Sequence, residues 1–362
     1  MSSLTQIPNW EGLIRSDFWF RDGNIVLLAG NAAFKVHRGQ LERQSEVFKD
    51  LFSLPQPEDA ADLIDGCAWV ELHDRPADVF HFLRAIYDGL YLASMPQASD
   101  FPMLSAVLRL STKYLVETLR TLCLAHLSLS WPTTLAAWDT RESAAVEPKT
   151  GRYLPRETHA HPILLMELAI ELSLPHLLPS AFYDLSRYGP SKIMAGTTQA
   201  AFALDVAASK EPVETSRERS VVLNKEMLVR TFKGREASQR CVSEFVAREL
   251  ENRSASPECA NRGEDGMSRS CLESFYFIML NILRSVGGIA CGRDADPLFT
   301  LVQAAEMLTR TDFSDGQRQM GLRMCAACKA DFKTSVEKAR EEVWRNLPSW
   351  FGMDDLTQWA EP

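Results

Sequence analysis

The sequence predicts an α+β domain, a small sheet with a cluster of helices, followed by an all-α region, and three observations carry that expectation. Two short aliphatic runs, 24–29 and 32–36, flank the turn pair Gly30-Asn31. A third run, AWVEL at 68–72, alternates as a strand does. Beyond residue 131 the strong periods are helical.

Each element follows in order. The first two runs predict a β-hairpin. After His37, the residues Leu41, Val47, Phe48, Leu51 and Phe52 recur at helical spacing, so two short helices are expected, divided near Gln44, with Ser45 capping the second at Glu46. Residues 53–66 are rich in Pro and Asp and predict an acidic loop before the third strand. Pro76 suits a first helical turn after an Asp74 cap, and Val79, Phe80, Leu83, Ile86 and Tyr87 mark one face of a helix ending at Gly89. Helices over 101–115 and 116–129 follow.

The second part predicts helices over 135–141, 162–172, 175–188, 216–253, 270–286, 297–309 and 315–345. Loops are expected near 143–160, 196–215 and 252–269, where Pro, Gly, Ser and charge occur without periodicity. Residues 275–280 are apolar on all sides of their helix, which predicts the core of this half. No internal repeat is present, so a solenoid or propeller is not expected.

Composition narrows the functional classes. The chain has 362 residues, 46% hydrophobic and 24% charged, the profile of a soluble chain of two domains, or of one domain with a large extension. Residues 46–100 hold eleven acidic residues against three basic ones, a net of −8 within an overall −9, and such a surface repels phosphate backbones. Residues 205–253 carry ten basic and nine acidic side chains, a solvated helix surface. No nucleic-acid partner is expected. The most apolar run, 274–283, contains Asn281 and falls short of the roughly 18 residues a membrane span needs, so no membrane role is expected either. Eight cysteines are scattered without a dense framework, and MSSLTQIPNW has no basic-then-apolar leader. We therefore expect a reducing intracellular compartment, cytoplasm or nucleus.

Candidate chemistry is sparse. His37 and Arg38 pair a group that titrates near neutrality with one that stays charged, but no nucleophile or acid at catalytic spacing accompanies them, and structural or interface use is expected. Cys325 and Cys328 have zinc-like or redox-like spacing. The other cysteines of that half, Cys241, Cys259, Cys271 and Cys291, stand singly, and the surrounding residues read as one long helix in which Cys325 and Cys328 pack as small apolar groups. A zinc-binding or redox protein using Cys325 and Cys328 is the rival reading; no metal or cofactor is assigned. His159 and His161 lack a completing ligand, and Ser335-x-x-Lys338 lacks the companion motifs of acyl-serine enzymes. No phosphate loop, dinucleotide fingerprint or H-E-x-x-H occurs. No catalytic residue, and no enzyme, is expected.

The segment RDGNIVLLAGNAAFKVHRGQLERQSEVFKDLF resembles the start of BTB/POZ domains through Asp22, Phe34, His37, Arg38, Leu41, Ser45, Phe48, Leu51 and Phe52. AWVEL, then Tyr87-Asp88-Gly89, then LRLSTKYLVETLRTLCLAHL with Ser111 in place of the usual Ala, continue the likeness. It covers 15–128, leaving 129–362 as a helical C-terminal region whose WPTTLAAWD and NLPSWFGM are similar to the extension of fungal BTB-domain proteins. The resemblance implies an interaction module that homodimerises and serves as adaptor or scaffold, with Asp22 and Arg38 close together in a charged pocket. The interface is expected along 10–20, at Leu13, Ile14, Phe18 and Trp19, together with Leu41. Many relatives are adaptors for cullin-type ubiquitin ligases through a hydrophobic-x-Glu element. Here that region reads Gln56-Pro57-Glu58, which supplies Glu58 without the hydrophobic residue, and no kelch, zinc-finger or MATH segment accompanies it.

Overall fold

The two aliphatic runs become the centre of a sheet. In the computed structural model, which describes residues 12–53, 63–89, 97–200, 218–263, 268–283, 292–314, 319–356 and 359, β2 (Ile25–Ala29) and β3 (Ala32–Val36) pair antiparallel around a two-residue turn. Gly30 opens that turn at φ +53°, a conformation that favours glycine. Every residue of both strands is buried, which is why they read as continuous apolar runs and not as alternating ones.

Two further strands flank this pair. β1 (Ile14–Trp19) runs parallel to β3, and β4 (Ala68–Leu72) runs parallel to β2, giving the order β1-β3-β2-β4. β4 is legible in the sequence but β1 is not: its inward positions are Ser16 and Phe18, so that a serine interrupts the apolar alternation. Within β3 the polar exception is Lys35, whose enclosed side chain reaches Asp65 at 2.8 Å. Asp65 and Gly66 both take positive φ, 50° and 74°, between the bridged residues Ile64 and Cys67. The end of the expected acidic loop is thus an Asp-Gly turn of the type that matches strand twist.

Helices α1 (Arg38–Gln44), α2 (Glu46–Ser53), α3 (Pro76–Asp88), α4 (Phe101–Lys113) and α5 (Glu117–Ser130) complete this region. Ser45 joins them: its hydroxyl accepts the Phe48 N–H at 3.1 Å, starting α2, and donates to the Tyr114 carbonyl at 2.6 Å. Tyr114 in turn stacks on Phe48 with ring centroids 4.3 Å apart. Asp74 does not cap α3, where Arg75 holds that position; its carboxylate is taken by Lys113 Nζ at 2.7 Å and by the Tyr114 hydroxyl.

The remaining described elements are α6 (Leu135–Ala144), α7 (Pro155–Thr158), α8 (Pro162–Glu171), α9 (Leu178–Ser186), α10 (Pro190–Ala195), β5 (Thr197–Ala200), β6 (Glu218–Val221), α11 (Lys225–Glu249), α12 (Arg269–Leu283), α13 (Pro297–Glu306), β7 (Phe313–Ser314), β8 (Gln319–Met320) and α14 (Ala326–Trp350). The C-terminal region is helical, as the sequence predicts, apart from the small antiparallel pairs β5-β6 and β7-β8. The helix expected from 216 starts at Lys225, because the Asn224 side chain accepts the Met227 N–H at 2.9 Å and Glu218–Val221 pairs with β5. The helix expected from 315 starts at Ala326. The expected loop 143–160 contains α7 and a bridge between Val146 and Tyr153. α12 is amphipathic and not apolar all round: Phe275 and Ile278 are buried while Tyr276, Phe277 and Leu280 are exposed.

The chain gathers into two compact units. The first comprises Met1–Ser130, Arg141–Leu164 and Thr197–Val221, the second Trp131–Thr140, Leu165–Gly196 and Val222–Pro362. The second has its own aromatic core, in which Trp138 meets Tyr183 and Trp344, and Phe182 stacks on Phe351 at 5.1 Å. Arg187, buried in it, bonds Asp184 at 2.6 Å and Asp296 at 2.8 Å, and Asp296 also accepts the Tyr183 hydroxyl and caps α13. This arrangement leaves a buried cation paired with two carboxylates, fixing α9 and the start of α13 in register. Among the described residues no helix is long and apolar enough to cross a membrane.

Candidate functional site

His37 sits where β3 gives way to α1, and the local backbone explains its position: it is the extended N-cap residue, with φ −101° and ψ 114°. Its backbone N–H donates to the Tyr87 hydroxyl at 2.9 Å, and its ring Nδ1 lies 3.1 Å from the same oxygen. Its Nε2 lies 3.3 Å from Asp22 Oδ1. One tautomer satisfies all three contacts: the Nε2 proton goes to Asp22, Nδ1 accepts the phenol proton, and the phenol oxygen accepts the backbone N–H. Burial raises the Tyr87 phenol above its ordinary value, which keeps that proton in place. Phe20 stacks on Tyr87 at 4.9 Å and also faces His37 at 4.9 Å, while Phe18 packs on Phe80 at 5.4 Å. The result ties the end of α3 to the β3-α1 junction and to the segment after β1.

Arg38 takes a different partner from the one the resemblance implies. Its Nε bonds Glu42 one turn along α1 at 2.6 Å, its backbone N–H donates to the Asn24 side chain at 2.8 Å, and its guanidinium lies over Phe52. Asp22 pairs with His37 and not with Arg38, and its side chain is 85% exposed. The carboxyl of Asp22 is held below its ordinary value, first by its own backbone N–H and then by His37.

The apolar residues expected at an interface divide. Leu41 is wholly buried and Phe18 is 8% exposed, because both point into the unit's own core. Leu13, Ile14 and Trp19 remain half-buried on β1 and its approach, with Leu13 and Trp19 packed against Val26, Leu28 and Ala33. Arg15 lies over the Trp19 ring at 4.6 Å. Trp10 and Glu58 lie outside the described residues.

The second unit contains a cluster that sequence spacing did not assemble. Cys325 is the N-cap of α14 and Cys328 lies in its first turn, so they bracket the start of the helix and do not ride along its middle. The sulfurs of Cys259, Cys271, Cys325 and Cys328 lie within 4.8 Å of one another, and all four residues are buried. Cys259 comes from the segment after α11, and Cys271 from the first turn of α12. The Cys328 backbone N–H, with that of Ala260, brings the Cys325 thiol down to about 6, while burial pushes Cys328 up to about 12. The Ser268 hydroxyl lowers Cys259, and burial raises Cys271. By contrast, His159 is buried against Ser130 at 3.2 Å and the Arg141 carbonyl at 3.4 Å, and Ser335 accepts an Arg253 N–H, so neither stands in a catalytic or metal-binding set.

Comparison with known proteins assigns part of the first unit. The BTB/POZ domain family model matches residues 20–130, so this part of the chain is a BTB/POZ domain, a protein–protein interaction module. That family is a protein interaction family and not a known enzyme family. No curated protein matches the chain.

Proposed function

We propose that the protein works by protein–protein contact as a homodimerising adaptor or scaffold. The BTB/POZ match over residues 20–130 is the observation that carries this reading. The surface that suits a second copy is the β1 side of the sheet. β1 is an edge strand, bonded among the described residues to β3 alone, and an edge strand offers unpaired backbone donors and acceptors to another chain. Half-buried Leu13, Ile14 and Trp19 border it and add apolar area. Phe18 and Leu41 belong to the core and act only by shaping that surface.

A stable dimer needs roughly 1,600 Å² of total buried area. Light scattering on the full chain tests the proposal: a dimeric mass is expected, shifting towards monomer in Ile14→Asp, whereas a monomeric parent at micromolar concentration overturns it. The adaptor role towards a cullin rests on the family and on Glu58 alone. A cullin pull-down that succeeds with the parent and fails with Glu58→Ala supports it, and no capture by the parent rejects it.

A further inference from the structure

We propose that Cys259, Cys271, Cys325 and Cys328 hold a single Zn²⁺ ion as a closed structural centre of the helical unit. The sulfur spacing fits the ion. Zinc–thiolate bonds of about 2.3 Å in a tetrahedron set the sulfurs roughly 3.8 Å apart. Here Cys259 Sγ lies 3.7 Å from Cys271 Sγ and 3.7 Å from Cys325 Sγ, and all four sulfurs fall within 4.8 Å of one another. A disulfide needs an S–S distance near 2.05 Å. Buried cysteines used only as small apolar groups have no reason to converge on one point from three separate segments.

The sulfurs also have polar surroundings that suit thiolates. The Cys325 backbone N–H points at Cys271 Sγ at 3.4 Å, the Ser256 backbone N–H at Cys328 Sγ at 3.3 Å, and the Asn261 side-chain amide at Cys271 Sγ at 3.4 Å. Four thiolates around a divalent ion leave two net negative charges inside the protein, and N–H donors of this kind are what offsets them. Asn261 is itself held by the Arg323 carbonyl at 3.0 Å, so one side chain spans from the Cys259 segment to the approach of α14.

The donor set also fixes the role. Four sulfur ligands fill the tetrahedron and leave no position for water or substrate, which makes the centre structural and not catalytic. All-sulfur ligation suits a borderline-soft ion and excludes magnesium and calcium. The ion ties the segment after α11 to the first turns of α12 and α14, elements that otherwise meet through aromatic contacts such as Phe245–Phe332 and Phe275–Phe332.

The test uses the full chain purified under reducing conditions without chelator. Elemental analysis is expected to give one zinc per chain. Cobalt exchange is expected to give the intense visible and near-ultraviolet bands of tetrahedral tetrathiolate cobalt. Asn261→Leu, which keeps all four ligands, is expected to weaken metal affinity about 10–100-fold. Cys271→Ser is expected to lose more than that, whereas Cys123→Ser, outside the cluster, leaves the stoichiometry unchanged. If Cys271→Ser fails to fold, the cobalt spectrum of the parent still decides. A parent without bound metal that develops no charge-transfer band with cobalt overturns the proposal. So does stoichiometric iron, or a mass showing these thiols joined as disulfides.

Discussion

Tyr87 makes its contribution through one oxygen atom that serves two different groups of His37. Its ring is half enclosed by Phe18 and Phe20, so losing the hydroxyl leaves the backbone N–H of His37 without its acceptor in a partly buried site. Tyr87→Phe should therefore lower the stability of the BTB/POZ domain by about 1–2 kcal/mol, read as a shift of the urea midpoint. The same change should leave the zinc content of the chain unaltered. His37 and Arg38 are adjacent in sequence yet face different neighbours, one the end of α3 and the other Glu42 and Phe52. The pair closes a strand and opens a helix, and its chemistry is that of a joint.

At the scale of elements, one close approach in the helical unit depends on an absent side chain. A Cβ placed on Gly234 of α11 would lie 1.8 Å from Phe351 Cε1, so the ring occupies the space a methyl group would need. Glycine to alanine inside a helix ordinarily gains about 1 kcal/mol. Gly234→Ala should instead cost roughly 1–3 kcal/mol, because Phe351 must leave its stack on Phe182, and shortening Phe351 to Leu in the same chain should recover part of the loss. A denaturation series on the two variants measures both signs. The elements that the sequence revealed are those whose cause is local: the hairpin around Gly30, α2 with its Ser45 cap, and β4 with its alternation. β1 escaped because Ser16 fills an inward position, and the Asp65-Gly66 turn escaped although its dipeptide is a strong turn signal. The cysteine cluster was out of reach for another reason. Cys259 and Cys271 gain meaning only when folding brings them to Cys325 and Cys328, and no spacing along the chain announces that meeting.

At the scale of the whole molecule, the two units rest on different kinds of support. The BTB/POZ domain depends on a buried sheet and an aromatic joint, and all four cysteines of the cluster lie in the second unit. Removing zinc with a strong chelator should therefore lower the melting temperature of the helical unit and leave that of the BTB/POZ domain unchanged, since metal binding free energy adds directly to the stability of the unit that holds the ion. Calorimetry on the full chain separates the two transitions. The helical unit also has a long-range closure at its start. Trp344 donates its indole N–H to the Thr133 carbonyl at 2.7 Å, and Arg340 bonds Asp139. These contacts join residues some two hundred positions apart, so during synthesis they cannot close until α14 has left the ribosome, whereas the contact of Trp138 with Tyr183 can form earlier. The strands and helices up to Ser130 face no such delay, and a nascent chain halted before residue 340 should already carry a folded sheet while its helical half is still open to chaperones.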